Sequence, residues 1–243
     1  MDHVPPDVFG EDYLYFYEPW LDDELSERQA ELLWSTLELA PGAKVLDVPC
    51  GHGRIANRLA ARGASVTGLD ADRLFLERAR ADASERGVEV EYVEGDMREL
   101  PWTERFEAAV NWFTSFGYFD DDGNRAFAQS LGNALIPGGR LAIDAHSRDV
   151  FMRNWLPSSV LEREGNLVVD EHSFDVETGR AVTERWLVRD GRTRKTGFSV
   201  RFYTYTELRD LLLGAGFSSV RGVGHEGGPL TLDDRRMIVI ASR

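Results

Sequence analysis

A glycine-rich turn between a short apolar run and a helical stretch constrains this chain more than any other feature. The segment Val45–Arg54 reads VLDVPCGHGR. Lys44–Val48 has the composition of a buried strand, and Arg54–Ala61 that of a helix. Glycines at such a turn let a ligand approach the backbone, and a helix N-terminus presents free N–H groups. The segment therefore predicts a strand–turn–helix unit that binds a ligand.

The alternation of strands and helices continues through the first half of the chain. Pro137-Gly138-Gly139 is predicted to end a helix that begins near Asp120. Strands that alternate with helices at this spacing indicate a parallel, doubly wound sheet. The further strands are predicted at Ser65–Leu69, Val88–Val93, Phe106–Asn111 and Arg140–Asp144, with another helix at about 73–86.

The pattern changes after about residue 155. Asp190-Gly191 is a two-residue hairpin signal within a region that lacks helical spacing. Thr204 and Glu207 then have the spacing of a capping box, which predicts a new helix. The strands predicted in this half are Leu167–Asp175, Arg180–Arg189, Arg192–Tyr203, Phe217–Val223 and Met237–Ala241.

These elements predict an α/β fold: a mostly parallel, seven-stranded sheet with a small antiparallel insertion. The α/β domain comprises residues 39–154 and 204–243 and would bind the cofactor. The antiparallel insertion, residues 155–203, is predicted to form a lid over the same cleft. Residues 1–38 are predicted to form an N-terminal flap.

Composition narrows the class of partner. The chain has 243 residues and a formal net charge of -14, which argues against nucleic acid as a partner because a phosphate backbone would be repelled.

The single cysteine, Cys50, excludes an intrachain disulfide, and no histidine pair has metal-ligand spacing, so no metal is expected. No apolar run reaches the ~18 residues of a membrane span, and the start lacks the layout of a signal peptide. We therefore expect a cytoplasmic protein with no membrane partner.

Acidic side chains follow the first three predicted strands. Gly51–Ala56 fits the dinucleotide pattern G-x-G-x-x-A, with Asp70 as its acidic partner. However, Asp47 would crowd a pyrophosphate with like charge and suits a ligand that bears an ammonium group. Asp70 is placed to accept hydrogen bonds from ribose hydroxyls. Asp96 can accept from an adenine amino group, and Met97 can pack on the ring, so a nucleoside with an ammonium group is favoured.

Motifs along the chain support this interpretation. The chain resembles the class I S-adenosylmethionine-dependent methyltransferases over about residues 40–145 and 200–243. The motifs that carry the resemblance are VLDVPCGHGR, VTGLD, VEGDMRELP, FEAAVNWFTSFGYF, PGGRLAID and YTELRDLLLGAGF. One departure is Pro49, which stands where the family's D/E-x-G-x-G-x-G motif has its first glycine.

The resemblance implies a Rossmann-like fold, S-adenosylmethionine as cofactor and S-adenosylhomocysteine as product. It implies that Asp47 and the Gly51–Gly53 turn serve the methionine end, Asp70 the ribose, and Asp96 with Met97 the adenine. The predicted cofactor set also includes Tyr17, Pro49, Cys50, Ala71 and Trp112. Simpler structural roles are open: Asp47 and Asp70 could cap local turns, and Met97 could fill the core.

The N-terminal segment DYLYFYEPW is unusually aromatic. It predicts a flap that covers the cofactor and excludes water, although a core-packing helix would show the same pattern. Tyr13 and Tyr17 share one helical face and are candidate catalytic residues. His146, after the fifth strand, is a candidate general base, or a loop histidine that bonds backbone. The predicted substrate residues are Phe113, Phe116, Arg201 and Tyr203, and Arg201 could instead pair with surface carboxylates.

The acceptor is predicted to be a small molecule, methylated on N or O, with a place in secondary metabolism. Because no unambiguous base is evident and an amine needs only to be neutral, an amine is slightly favoured. The Asn-Pro-Pro-Tyr signature is absent after Asn111. The alternatives are a methyltransferase acting on RNA or protein and a non-catalytic nucleotide-binding module, and the sequence leaves open a homo-oligomer.

Overall fold

The computed structural model describes residues 8–243. Residues 1–7, which include the start of the predicted flap, lie outside this range. The helices are α1 Glu11–Tyr17, α2 Asp23–Thr36, α3 Ala56–Ala61, α4 Arg73–Arg86, α5 Asp121–Ala134, α6 Arg148–Arg153 and α7 Tyr205–Gly214, with a 3-10 turn at Glu18–Trp20. The strands are β1 Lys44–Asp47, β2 Ser65–Asp70, β3 Val90–Glu94, β4 Phe106–Asn111, β5 Leu135–His146, β6 Ser158–Arg163, β7 Asn166–Asp175, β8 Arg180–Arg189, β9 Arg192–Arg201, β10 Ser219–Gly224 and β11 Arg236–Ser242.

A seven-stranded sheet in the order β10-β11-β5-β4-β1-β2-β3 forms the centre of the fold. β11 runs antiparallel to both of its neighbours, and the other pairs are parallel. The strand order reverses between β1 and β4, and ligands of open α/β sheets bind at the carboxyl ends of the strands at such a point. The predicted Rossmann-like class is confirmed.

Alternating strand residues build a core on each face of this sheet. Leu46 of β1 packs in a cluster with α5 and α7, whereas its neighbour Val45 packs in a cluster with α2 and α3. The sheet is therefore the middle of three layers. This leaves the carboxyl ends of its strands for a site.

Side-chain caps fix where several helices begin. Asp22, Asp72 and Asp120 each accept a hydrogen bond from a backbone N–H in the first turn of the following helix. The predicted capping box is present at α7, where Thr204 and Glu207 each bond the other's backbone. These contacts satisfy N–H groups that have no partner within the helix.

Two predicted boundaries around α5 and β5 need correction. β5 begins at Leu135, not Arg140, because Leu135 pairs with Phe106 of β4 before a shift in register. Pro137-Gly138-Gly139 therefore lies inside an irregular strand start and is not a helix stop.

The antiparallel insertion has four strands in the order β6-β7-β8-β9, not the three predicted. β6 lies at the edge and leaves Val160 two-thirds exposed, so its sequence lacks a clear buried face. The last strand ends at Arg201, two residues before the predicted end. The domain boundaries drawn from the sequence remain predictions.

Candidate cofactor and acceptor site

A cavity of about 620 Å³ lies at the carboxyl ends of β1 to β5, below α1 and one face of the antiparallel sheet. This volume is within the usual range for small-molecule sites. The predicted site residues that line it are Tyr13, Tyr17, Asp47, Pro49, Cys50, Gly51, Asp70, Ala71, Asp96, Met97, Trp112, Phe113 and His146. The fold thus brings together most of the predicted set from segments far apart in sequence.

The β1–α3 turn carries two glycines with different roles. Gly51 has a φ of 54° and lines the cavity. Gly53 has a φ of 80°, and a Cβ there would lie 2.8 Å from the Cβ of Ala79. Gly53 does not line the cavity, and its predicted contact with the cofactor stays a prediction. It lets the turn pack against α4.

Asp47 is buried at the end of β1, and its Oδ2 has no hydrogen-bond partner among residues 8–243. Burial raises the pKa of its carboxyl to about 7, although the positive charge of Arg54 opposes the shift. A buried acceptor without a partner is costly, and a ligand ammonium would relieve that cost.

Asp70 ends β2 beside the same turn. Its carboxylate accepts hydrogen bonds from the backbone N–H of Gly51 at 2.7 Å and of Asp72 at 2.9 Å. Burial raises its pKa to about 6 despite these bonds. A carboxylate can accept about four hydrogen bonds, so Asp70 keeps acceptor capacity beyond its local bonds. Its predicted bond to a ribose hydroxyl stays a prediction.

Asp96 and Met97 follow β3 at the next position along the cavity. Asp96 accepts three bonds from the guanidinium of Arg98, including one of 2.6 Å from Nη2. Met97 lines the cavity and also packs against the core, so the two interpretations of this residue are compatible.

The flap helix α1 is tied to the antiparallel sheet. The rings of Tyr13 and Tyr17 stack at 4.9 Å, and both line the cavity. Arg185 of β8 donates to the Tyr17 hydroxyl at 2.7 Å and forms two hydrogen bonds with buried Asp170. Burial raises the pKa of Tyr13 to about 12, so this hydroxyl is protonated at neutral pH.

His146 ends β5 in the cavity wall, beside the rings of Phe151 and Phe202. Burial lowers its pKa to about 4, and the charge of Arg236 lowers it further. The imidazole is therefore neutral at pH 7, and the lowered pKa makes it a weak base.

Three predicted substrate residues lie elsewhere. Phe116 is fully buried and stacks on Phe127 in the core. Arg201 donates to the backbone carbonyl of Phe202 and to Glu207 of α7. Tyr203 is buried in the same core as Phe116. Arg201 and Tyr203 share one face of the chain, and Phe202 between them lines the cavity, so the substrate contacts predicted for Arg201 and Tyr203 stay predictions.

Arg54, Arg185 and Arg236 line the cavity and were missed from the sequence. Asp144, which lies behind this wall, accepts the backbone N–H of Phe113 at 3.0 Å and two bonds from Arg236. Arg54 also lines the cavity, with the ring of Phe113 5.3 Å from its guanidinium. The only local signal was that Asp144 ends a predicted strand, since the arginine contacts depend on tertiary packing.

The residues present fit S-adenosylmethionine. Asp47 has an unsatisfied acceptor for an ammonium, and Asp70 has free acceptor capacity for a ribose. No group of three or more metal-ligating His, Cys, Asp or Glu side chains occurs within residues 8–243. In the same range, each helix is too short or too polar to cross a membrane.

Comparison with known proteins agrees with this geometry. Residues 45–139 match a family described as a methyltransferase domain. The chain is 34% identical over 137 residues to methyltransferase GfsG of Streptomyces halstedii, covering 54% of this chain and 49% of that protein. It is 28% identical over 247 residues to a cypemycin N-terminal methyltransferase of a Streptomyces species, covering 98% of each. The matches span about half or less of the first curated relatives.

Two solved structures show the same fold. An S-adenosylmethionine-dependent methyltransferase of Clostridium acetobutylicum superposes with a TM-score of 0.79 at 15% identity, covering 95% of each chain. The sugar N-methyltransferase KedS8 of a Streptoalloteichus species gives a TM-score of 0.73 at 21% identity, covering 100% of this chain and 97% of that one.

The fold and the domain match define the class: this chain contains a methyltransferase domain of the S-adenosylmethionine-dependent type. S-adenosylmethionine is the cofactor of that class.

Proposed function

We propose that this protein transfers a methyl group from S-adenosylmethionine to a nitrogen of a small molecule in secondary metabolism. The observation that carries the proposal is the single cavity, in which Asp47, Asp70 and Asp96 adjoin Tyr13, Tyr17 and His146. The cofactor supplies an electrophilic methyl group on a sulfonium. Asp47, Asp70, Asp96 and Met97 hold it by its ammonium, ribose and adenine.

The walls around the acceptor favour exclusion of water. Phe9, Phe75 and Tyr118 surround Tyr13 and Tyr17, so the roof over the cavity is largely aromatic. Alignment in a closed site can supply effective molarities of ~10⁵–10⁸ M. An in-line displacement needs little more from the protein when the nucleophile is already reactive.

An amine acceptor fits the protonation states of this site. A neutral amine needs no base before it attacks, and the ammonium formed then loses a proton. His146 lies in the cavity wall and is our candidate to pass that proton on to solvent, although its lowered pKa makes it a weak base that would hold the proton only briefly. The names of the cypemycin and KedS8 enzymes, which describe N-methylation, support the choice of nitrogen.

The test has a binding arm and a turnover arm. Calorimetry should show S-adenosylhomocysteine binding that Asp70→Asn weakens at least about tenfold, since charged hydrogen bonds contribute about 1.5–3 kcal/mol. Asp122→Asn is the matched control, because Asp122 is exposed on α5. Turnover should occur with amino sugars or short peptides that have a free N-terminus. Turnover with phenols or RNA alone would refute the amine assignment, and binding of NAD alone would refute the methyltransferase.

A further inference from the structure

A closed ring of six side chains, which we call the collar, forms part of the roof of the cavity. Neighbouring members of the collar lie 4.9 to 6.4 Å apart, measured between ring centroids or from the guanidinium carbon to a ring centroid. In order around the ring, its members are Phe9, Tyr13, Tyr17, Arg185, Phe198 and Tyr118. All six line the cavity. The collar therefore joins the N-terminal segment, the antiparallel sheet and the loop before α5 at one part of the cavity.

Arg185 is the one charged member of the collar, and its contacts hold it in place. It is 6% exposed. Its Nε and Nη2 each donate to Asp170 at 2.7 Å, and Nη2 also donates to the hydroxyl of Tyr17. Its Nη1 has no hydrogen bond to the residues that the structure describes. Nη1 is thus the donor that this guanidinium leaves for a ligand in the cavity.

Two hydroxyls of the collar also lack a partner. Those of Tyr13 and Tyr118 form no hydrogen bond within residues 8–243. Burial raises the pKa of both phenols, so both are protonated at neutral pH and able to donate. The charge of Arg185 opposes the shift at each of them, which is consistent with a short separation of the three groups. Three donors in a largely aromatic wall indicate a ligand group that accepts several hydrogen bonds.

The charge of the collar selects among such groups. None of its six members is acidic, and Asp170 does not line the cavity. A ligand ammonium would meet the guanidinium of Arg185, which already lies over the rings of Tyr17 and Phe198. A carboxylate accepts about four hydrogen bonds, and charge-assisted bonds are strong. A phosphate dianion fits less well, because Asp170 already pairs with the guanidinium.

We infer that the collar binds a carboxylate of the acceptor, so that the acceptor is an amine that also carries an acidic group. This inference rests on the proposed function, which supplies the amine. Nη1 of Arg185 and the hydroxyls of Tyr13 and Tyr118 donate to the carboxylate. The acidic side chains of the floor hold the cofactor, so cofactor and acceptor bind through groups of opposite charge.

The experiment titrates three probes into the full chain loaded with S-adenosylhomocysteine, and NMR spectra of the backbone amides follow the binding. The probes are benzoate, benzamide and phenyl phosphate, which share a ring and differ in charge. Benzoate should bind at least about tenfold more tightly than benzamide, as expected for charged hydrogen bonds, and should shift amides of α1, β8 and β9. Equal binding of benzoate and benzamide, tighter binding of phenyl phosphate, or no binding of benzoate would overturn the inference.

Two variants test whether the collar is the binding site. Tyr118→Phe removes a hydroxyl that bonds none of the described residues, so the fold should be kept. It should weaken benzoate about tenfold and benzamide less, because the lost bond is to a charged group. Arg185→Lys keeps a positive charge beside Asp170 but removes Nη1, so it should also narrow the ratio of the two affinities. An unchanged ratio in either variant would overturn the inference.

Tyr205→Phe is the matched control. Tyr205 lies on α7 outside the cavity, and its hydroxyl donates to the carbonyl of Val220 at 3.4 Å. This variant should keep the ratio of the unaltered protein. Failure of the unaltered protein to bind S-adenosylhomocysteine would instead refute the proposed function, and it would be seen before any probe is added.

Turnover gives a second readout. Each amine that the protein methylates should have a kcat/KM at least about tenfold higher as the free acid than as the carboxamide of the same skeleton. An equal or higher kcat/KM for the carboxamides would overturn the inference and leave the methyltransferase activity itself established.

Discussion

At the scale of the residue, the proposed contact of Asp47 with the cofactor should make binding depend on pH. Burial raises the pKa of its carboxyl to about 7, and an ammonium binds only the ionised form well. The affinity for S-adenosylhomocysteine should therefore fall as pH drops from 8 to 5.5, by up to about tenfold per unit below the pKa. Asp70, with a pKa raised to about 6, adds to the fall at the acidic end. Calorimetry across this range measures it.

Asp47→Asn tests the assignment of this pH dependence. The amide cannot ionise, so affinity should be lower at pH 8 and nearly flat down to pH 6.5. A folded-state pKa above the unfolded value of 3.8 stabilises the ligand-free protein at low pH. That contribution is lost as pH rises through about 7, so it is opposite in sign to the binding effect. A profile unchanged by Asp47→Asn would contradict the role of this carboxylate.

Two consecutive residues of the cavity wall have a left-handed backbone. Phe113 has a φ of 62° and Thr114 a φ of 61°, which is unfavourable for a β-branched residue. The hydroxyl of Thr114 is also buried without a partner among the described residues. Because glycine accepts this conformation, Thr114→Gly should raise the free energy of unfolding by about 1 kcal/mol.

Urea unfolding measures this change, and Ser115→Gly is the control. Ser115 has no positive φ, and its hydroxyl donates to the carbonyl of Trp112 at 3.0 Å. Its replacement should lower the free energy of unfolding by about 1 kcal/mol. Equal destabilisation by both variants would mean that no strain is stored at Thr114.

The sequence could place the acidic side chains but not the arginines. Asp47, Asp70 and Asp96 were predictable because each lies at or just after the end of a strand, and parallel strands end at one edge of the sheet. Arg185 depends on its contact with Tyr17, far away along the chain. The side of an irregular segment that faces a cavity is also hard to predict, which explains why Phe202 was absent from the predicted site residues.

At the scale of the element, a buried ion pair joins two strands of the antiparallel sheet. Arg185 of β8 and Asp170 of β7 face each other in register, and each is buried. Arg185→Met leaves an uncompensated carboxylate, so it should lower the free energy of unfolding by about 3–5 kcal/mol. The double variant Asp170→Leu with Arg185→Met should recover most of this loss, because no lone charge remains buried.

Urea unfolding of the two single variants and the double variant measures the coupling. Arg192→Met is a suitable control, since Arg192 is an exposed arginine of β9. Activity should stay low in the double variant even where stability returns, because Tyr17 has lost its donor. Additive losses in the double variant would contradict the coupling.

Elements with strong local signals were predictable, and edge elements were not. The capping box of Thr204 and Glu207 fixes the start of α7 locally, without help from the rest of the fold. By contrast, β6 is paired on one side only, and its exposed Val160 gives no alternating pattern. β5 was predicted too short because its first residues are fixed by pairing with β4.

At the scale of the whole molecule, the site is assembled from both ends of the chain. The floor comes from the parallel strands, and α1 and the antiparallel sheet form the roof. Asp12 of α1 accepts hydrogen bonds from Arg189 and Arg194, each at 2.8 Å, and the hydroxyl of Tyr15 bonds Asn166 at 2.8 Å. These polar contacts join α1 to the antiparallel sheet, so we expect the two elements to move together as one unit.

This unit should respond to ligand as a whole. The proposed site for S-adenosylhomocysteine lies under the roof, so the ligand should slow hydrogen exchange of the backbone amides in α1, β8 and β9 together. A ligand at about 100 times its dissociation constant adds about 2.7 kcal/mol to the free energy of unfolding. The ligand cannot raise the opening free energy of any amide by more than this amount. Amides that open only locally in α5 and α7, on the far face, should change little.

Asp12→Asn separates this coupled response from simple contact with the ligand. Asp12 is bonded to the sheet through Arg189 and Arg194, so its amide replacement should weaken the tie and leave the floor residues in place. In this variant, ligand should still protect the amides of the β1–α3 turn, but protection of α1 should fall behind that of β8 and β9. Asp210→Asn on the far helix α7 is the control. In the opposing outcome, the ligand protects α1 and the sheet equally in Asp12→Asn. That result would show that the ligand orders each part by direct contact, because the hydrogen bonds of Asp12 to the sheet would then be unnecessary.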